Sequence, residues 1–391
     1  MTYARRYFLV FISSLALAAL VSQAVAADAE RPTPLLLAIH DAPVPFTGSD
    51  GRIHFVYELW VTNFSSGDST LESLDILGDG TVLQTFDSAA IARRLQPAGS
   101  REATGVLSKS TQALLFLHLT LAPGAASPKQ LSHRVKARFM AAPPGHQELT
   151  ETGGTTDVDR QSVAQIGPPL LGDNYISADS CCDAVRHSRA ALPVNGRVWI
   201  AQRYAVDWEQ VDGAHRIYSG PREKLKSYTI FGKPAIAVAD AVVSSITDGL
   251  PEQIPGQYPT NISLDAADGN SVILDLGNHR YALYAHLQPG SIKVRPHDSV
   301  KRGQVLGLVG NSGNSVAPHL HFQVTGGPSS LASNGLPYEI DQLKITGRTA
   351  GTEAFDHAEA EGTPLEMTPL NPPQAVRGGL PLDQLVISFA P

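Results

Sequence analysis

The chain has 391 residues, 42% of them hydrophobic, and a formal net charge of −7. That length predicts two or three domains with ample material for packed cores. The acidic balance excludes nucleic-acid binding by bulk charge, since a polyanion would repel it.

The first 26 residues read as an export signal. Arg5 and Arg6 precede an apolar run over residues 8–21, and Ala24-Val25-Ala26 supplies a small-residue cleavage site. The run is short for a spanning helix. No cysteine lies near the cleavage point, so nothing supports lipid anchoring there. Cleavage removes the two arginines and no acid, taking the charge from −7 to −9. An exported chain with no stable membrane anchor is expected.

Residues 30–145 read as an immunoglobulin-like β domain. Residues 53–62 are rich in β-branched and aromatic side chains and partly alternate. Asn63-Phe64-Ser65-Ser66-Gly67-Asp68 is a turn signal, and residues 71–77, 113–121 and 131–139 supply further strands. His54, His118 and His133 fall on these strands and read as packing or surface residues. Residues 146–170, within a stretch rich in Ala, Pro, Gly and Thr, read as a linker. Cys181 and Cys182 are the only cysteines. They can pair with each other, remain thiols or act as soft metal ligands.

Residues 171–348 again read as strands separated by Gly, Pro and Asn. Residues 232–243 and 300–309 are both turn-led hairpin sequences and pair weakly as a repeat. The chemistry concentrates at His319-Leu320-His321, which follows a Gly- and Asn-rich loop. Histidines at i and i+2 of an extended segment share a face. Imidazole serves both as a zinc ligand and as a proton-transfer group. Upstream stand Tyr284-Ala285-His286 and Tyr204-Ala205-Val206-Asp207.

In this order, over residues 171–345, the motifs resemble those of the lysostaphin-type (LytM-like) zinc peptidases that cut peptidoglycan peptides. The resemblance implies an all-β, duplicated-hairpin peptidase fold with bound Zn2+. It implies Asp207 and His321 as zinc ligands, with His286 and His319 as catalytic histidines. One position departs from the pattern. The family carries a histidine four residues before the aspartate, where this chain has Arg203. A guanidinium has no lone pair to offer a metal. If it paired with Asp207, it would take the cation's place. His187, on the segment Cys182-Asp183-Ala184-Val185-Arg186-His187, is the candidate replacement; Gln202, or no ligand at all, are the alternatives, and His215 is a weaker one.

Residues 349–391 read as a flexible extension, with a last strand over residues 380–389 that docks back. The expected architecture is all-β: signal, immunoglobulin-like sandwich, linker, peptidase domain and extension. The expected function is an exported zinc endopeptidase of the bacterial envelope acting on peptidoglycan cross-links. The first domain would meet an envelope protein partner. The alternative is a catalytically inactive envelope protein that binds peptidoglycan or regulates cell-wall hydrolases.

Overall fold

A computed structural model describes residues 32–183 and 185–389. The expected signal over residues 1–26 lies outside the described residues. The described chain is almost entirely β, as its composition of short strands and polar turns predicts.

The first region is built from two five-stranded antiparallel sheets. In one, Ile53–Asn63 lies between Leu35–Ala38 and Gln112–Leu121. In the other, Ser69–Gly78 lies between Thr81–Asp87 and Gln130–Phe139. Phe55, Tyr57, Leu59 and Val61 alternate inward from Ile53–Asn63. They form one apolar core with Leu71, Leu74 and Ile76 of the facing sheet. The intervening residues of the same strand are not solvated. Val56 joins the core of the second region, and Glu58 is 6% exposed. This strand is therefore buried on both faces, which is why its hydrophobic alternation is only partial.

The expected linker contains a strand. Glu148–Asp157 pairs along the edge of Gln130–Phe139 and so belongs to the first region. Its Thr- and Gly-rich sequence resembles a linker because an edge strand need bury little. The ladder shifts register between Gly153 and Thr156. Gly154 sits there at φ 58°, and a Cβ on it would lie 2.6 Å from Leu59 Cδ1. Only glycine meets both demands.

The second region is a ten-stranded sheet. Leu320–Thr325 runs near its middle, between Arg280–Leu287 and Val206–Gln210. Val206–Gln210 pairs in turn with Gly172–Ala178. The two hairpin-like segments meet each other: Pro234–Ile236 pairs with Val305–Leu308, and Ala241–Thr247 with Ser299–Val300.

The C-terminal segment is structured rather than a flexible extension. It forms the helix Thr352–Glu361 and the strands Met367–Val376 and Leu385–Phe389. Leu385–Phe389 inserts between Gly172–Ala178 and Leu343–Thr349. Its Phe389 packs edge-on against buried Trp208, with centroids 5.1 Å apart. Its apolar sequence demanded such cover, and the expected docking of a last strand is found; the polar residues ahead of it concealed the helix and the strand Met367–Val376. Residues Pro34–Pro391 make up one compact unit.

Candidate metal centre

Asp207 and His321 are direct cross-strand partners. Val206 and Trp208 turn into the core, so alternation sends Asp207 to the opposite face. His321 Nδ1 lies 2.8 Å from Asp207 Oδ1. His319 Nε2 is 3.4 Å from the same oxygen, so the His-x-His pair does share a face.

His286 reaches this face by a backbone irregularity. Ala285 lies opposite His321, so strict alternation would point residue 286 away. The ladder with Asn270–Gly277 slips between Asn270 and Val272, and His286 adopts φ 62°. This bulge with a left-handed residue re-aims the side chain. The His286 ring then lies 4.7 Å from that of His319 and 5.9 Å from that of His321, centroid to centroid. Tyr284, two residues earlier, is fully buried and packs edge-on against Phe322.

The structure brings His187 to the same place. Its Nε2 is 3.4 Å from Asp207 Oδ2, and its ring meets that of His321 edge-on at 4.9 Å. Potential ligand atoms of His187, Asp207 and His321 all lie within 4.8 Å of one another, as do those of His286, His319 and His321. Arg203 does not occupy the cation's place. Its guanidinium forms a bidentate pair with Glu58, at 3.0 and 2.7 Å, and both side chains are buried. Residues 201–204 form a turn before Val206–Gln210, so Arg203 does not share a strand with Asp207. His215 lies exposed on a loop at φ 62°, and among the described residues it joins no group of potential ligands.

Each imidazole is oriented by a hydrogen bond on its far side. Nδ1–H of His187, His286 and His319 donates to the carbonyls of Asp179, Ser312 and Ala317, each at 2.8 Å. His321 is held by Gln323. The Gln323 amide nitrogen donates to the Ser330 carbonyl, which leaves its Oε1 to accept from His321 Nε2–H at 2.9 Å. Every ring thus turns its second nitrogen inward. His321 Nδ1 and Asp207 Oδ1 are then two acceptors in contact, a pairing that requires a proton or a metal cation between them. Gln323 lies two residues beyond His321, on the face of the His-x-His pair. The sequence reading overlooked it, although the same alternation would have found it.

The electrostatics agree. Burial opposes a charge on His319, but the Asp207 carboxylate outweighs it and lifts the group to about 9. His321 is raised for the same reason against the same burial penalty. Burial, then the neighbouring His319 and His321, hold His286 well below its usual range. Asp207 recruits positive charge into a slot whose histidines are at most 9% exposed. Three donors at these separations suit a tetrahedral zinc ion, whose ligands stand about 3.4 Å apart when bonds are about 2.1 Å.

Residues 228–332 match peptidase family M23. This segment is an M23 peptidase domain. It carries His286, His319 and His321, whereas Asp207 and His187 lie upstream of it. The chain is 38% identical over 71 residues to a DD-carboxypeptidase/endopeptidase of Neisseria meningitidis serogroup B, covering 18% of this chain and 16% of that protein. It is 44% identical over 64 residues to lysostaphin of Staphylococcus simulans, covering 16% and 12%. The chain therefore spans less than a fifth of the length of these relatives. Among solved structures, a zinc-containing peptidase from Vibrio cholerae aligns at 14% identity over 77% of this chain and 86% of that one, with a TM-score of 0.26. Among the described residues no helix is long and apolar enough to cross a membrane.

Proposed function

We propose that this chain is an exported zinc endopeptidase that hydrolyses peptide cross-links of bacterial peptidoglycan. One observation carries the reading: His187, His319 and His321, each with one nitrogen tied to an acceptor, turn the other towards a single carboxylate, and His286, tied likewise, packs against two of them. His187, Asp207 and His321 would hold the zinc. When bound, zinc polarises a carbonyl and acidifies a water. His319 and His286 are left for proton work. Their Nδ1–H groups are committed to carbonyls, so Nε2 is the atom that exchanges a proton. In that role Nε2 of His286, whose ring burial keeps neutral, accepts the proton of the attacking water and returns it to the leaving amine. The ring of His319, protonated beside Asp207, donates to the oxyanion.

The test is metal content together with wall digestion. The chain lacking residues 1–26 is expected to hold about one zinc per chain, lost in His321→Ala. It is expected to clear purified cell walls, to stop on chelation and to recover with zinc. A chain that remains zinc-free after reconstitution would leave the inactive, peptidoglycan-binding alternative. That alternative drew on Arg203, whose guanidinium is engaged with Glu58.

A further inference from the structure

A second group of potential ligands lies outside the M23 site. His54 of Ile53–Asn63 and His118 of Gln112–Leu121 stand on adjacent strands, and Cys182 approaches them from the second region. His54 Nδ1 is 2.8 Å from His118 Nε2, and Cys182 Sγ is 3.8 Å from His54 Nδ1. One atom from each of the three lies within 4.8 Å of the others. Cys182 is disulfide-bonded to Cys181.

The surroundings are those of a metal ligand set. His54 Nε2–H donates to Asp50 Oδ1 at 3.0 Å, which fixes its tautomer and leaves Nδ1 with a lone pair that here accepts from His118 Nε2–H. Phe46 stacks on the His54 ring. Asp183, next to Cys182, is gripped by Arg94 at 2.6 Å and Arg189 at 2.5 Å, which fixes the backbone that presents the sulfur. His54 and Cys182 are buried and His118 half-buried. Two nitrogens and one sulfur around zinc stand about 3.3–3.6 Å apart. The observed 2.8 and 3.8 Å bracket that spacing.

We propose that His54 Nδ1, His118 Nε2 and the Cys182 sulfur form a second, redox-gated site for a soft divalent cation such as zinc. The disulfide keeps the site closed, because its sulfur has no thiolate charge to give. A dithiol reductant opens it. Two electrons and two protons pass to the cysteine sulfurs, the S–S bond breaks, and the dithiol leaves as its own disulfide. On metal binding the Cys182 thiol releases its proton to solvent. The proton between the two rings moves to His118 Nδ1, so both imidazoles remain neutral. The thiolate and the nearby Asp50 carboxylate balance the cation's charge. Bound there, the cation bridges the two strands of the first sheet to the segment that leads into His187.

Cobalt(II) is the probe, because a thiolate–cobalt bond absorbs in the near ultraviolet. The oxidised chain is expected to show no such band. After reduction with a phosphine it takes up one further equivalent of cobalt and the band appears. Cys181→Ser gives the band without reductant, whereas Cys182→Ser and His118→Gln lack it with or without reductant. The two serine variants lose the same disulfide, so a general folding defect would affect them alike. A reduced wild-type chain without the band overturns the site, as does a Cys182→Ser chain that keeps the further equivalent.

Discussion

The two regions bury their histidines in opposite ways. In the first region the rings satisfy one another or a neighbouring hydroxyl. His54 bonds to His118, and His133 Nε2 accepts from the Tyr57 hydroxyl while its Nδ1–H donates to the Gly154 carbonyl. Among the four described imidazoles of the second region's site, none hydrogen-bonds to another. Each is tied behind by a carbonyl or by Gln323, and His187, His319 and His321 turn the other nitrogen to Asp207. A buried polar group without a partner is costly. The second arrangement therefore persists only where something positively charged belongs, whereas the His54–His118 pair is satisfied as it stands and must give up its shared proton before it can take a cation.

The contrast can be broken most strongly at His319. Replacing it by alanine is expected to lower cell-wall hydrolysis by ~10²–10⁴-fold while zinc content stays unchanged. Loss of zinc in that variant would move His319 into the ligand set. The joint between the regions comes next. Glu58→Gln strands the Arg203 guanidinium in a buried site, and a cost of about 3–5 kcal/mol is expected. Its urea midpoint should fall accordingly; an unshifted midpoint would mean the pair contributes nothing to the joint.

A pH titration sharpens the other side of the comparison. Burial lowers His133 to about 4, and its bonds to the backbone of residues 153 and 154 offset this only in part. Above pH 6.5 the group is neutral in both states and costs nothing. Below it, the unfolded chain takes up a proton that the folded chain refuses, so stability falls progressively until about pH 4. The loss approaches about 3 kcal/mol. Melting curves from pH 7 to 4 should show it, with a shallower decline in His133→Gln; identical slopes would remove His133 as the cause. The smallest effect is expected at Gln323, which orients a ligand without being one. Gln323→Ala should weaken zinc binding by ~10–100-fold in a chelator competition and leave the fold intact. Unchanged affinity would show that His321 needs no such support.

How much of this was legible in the sequence depends on the range over which each feature is encoded. The pairing of Asp207 with His321 follows from two local motifs and strand alternation. The aim of His286 does not, since alternation pointed it the wrong way and a one-residue bulge reversed it. His187 could be nominated as a nitrogen donor within reach, but only the loop that packs its Nδ1 against the Asp179 carbonyl brings it to Asp207. Arg203 read as a competitor for Asp207 because its partner is Glu58, far away in sequence and in another region. The Glu148–Asp157 strand was hidden by its edge position, where threonine and glycine suffice.

The insertion of Leu385–Phe389 beside Gly172–Ala178 has a consequence for assembly order. That ladder joins residues about two hundred positions apart, and closing so long a loop is slow compared with local hairpin formation. Until it closes, the strand flanking Asp207 offers a row of open amides and carbonyls to any passing extended chain. Newly made protein would then depend on escort during this interval, and clipping the tail should favour aggregates over a merely weakened monomer.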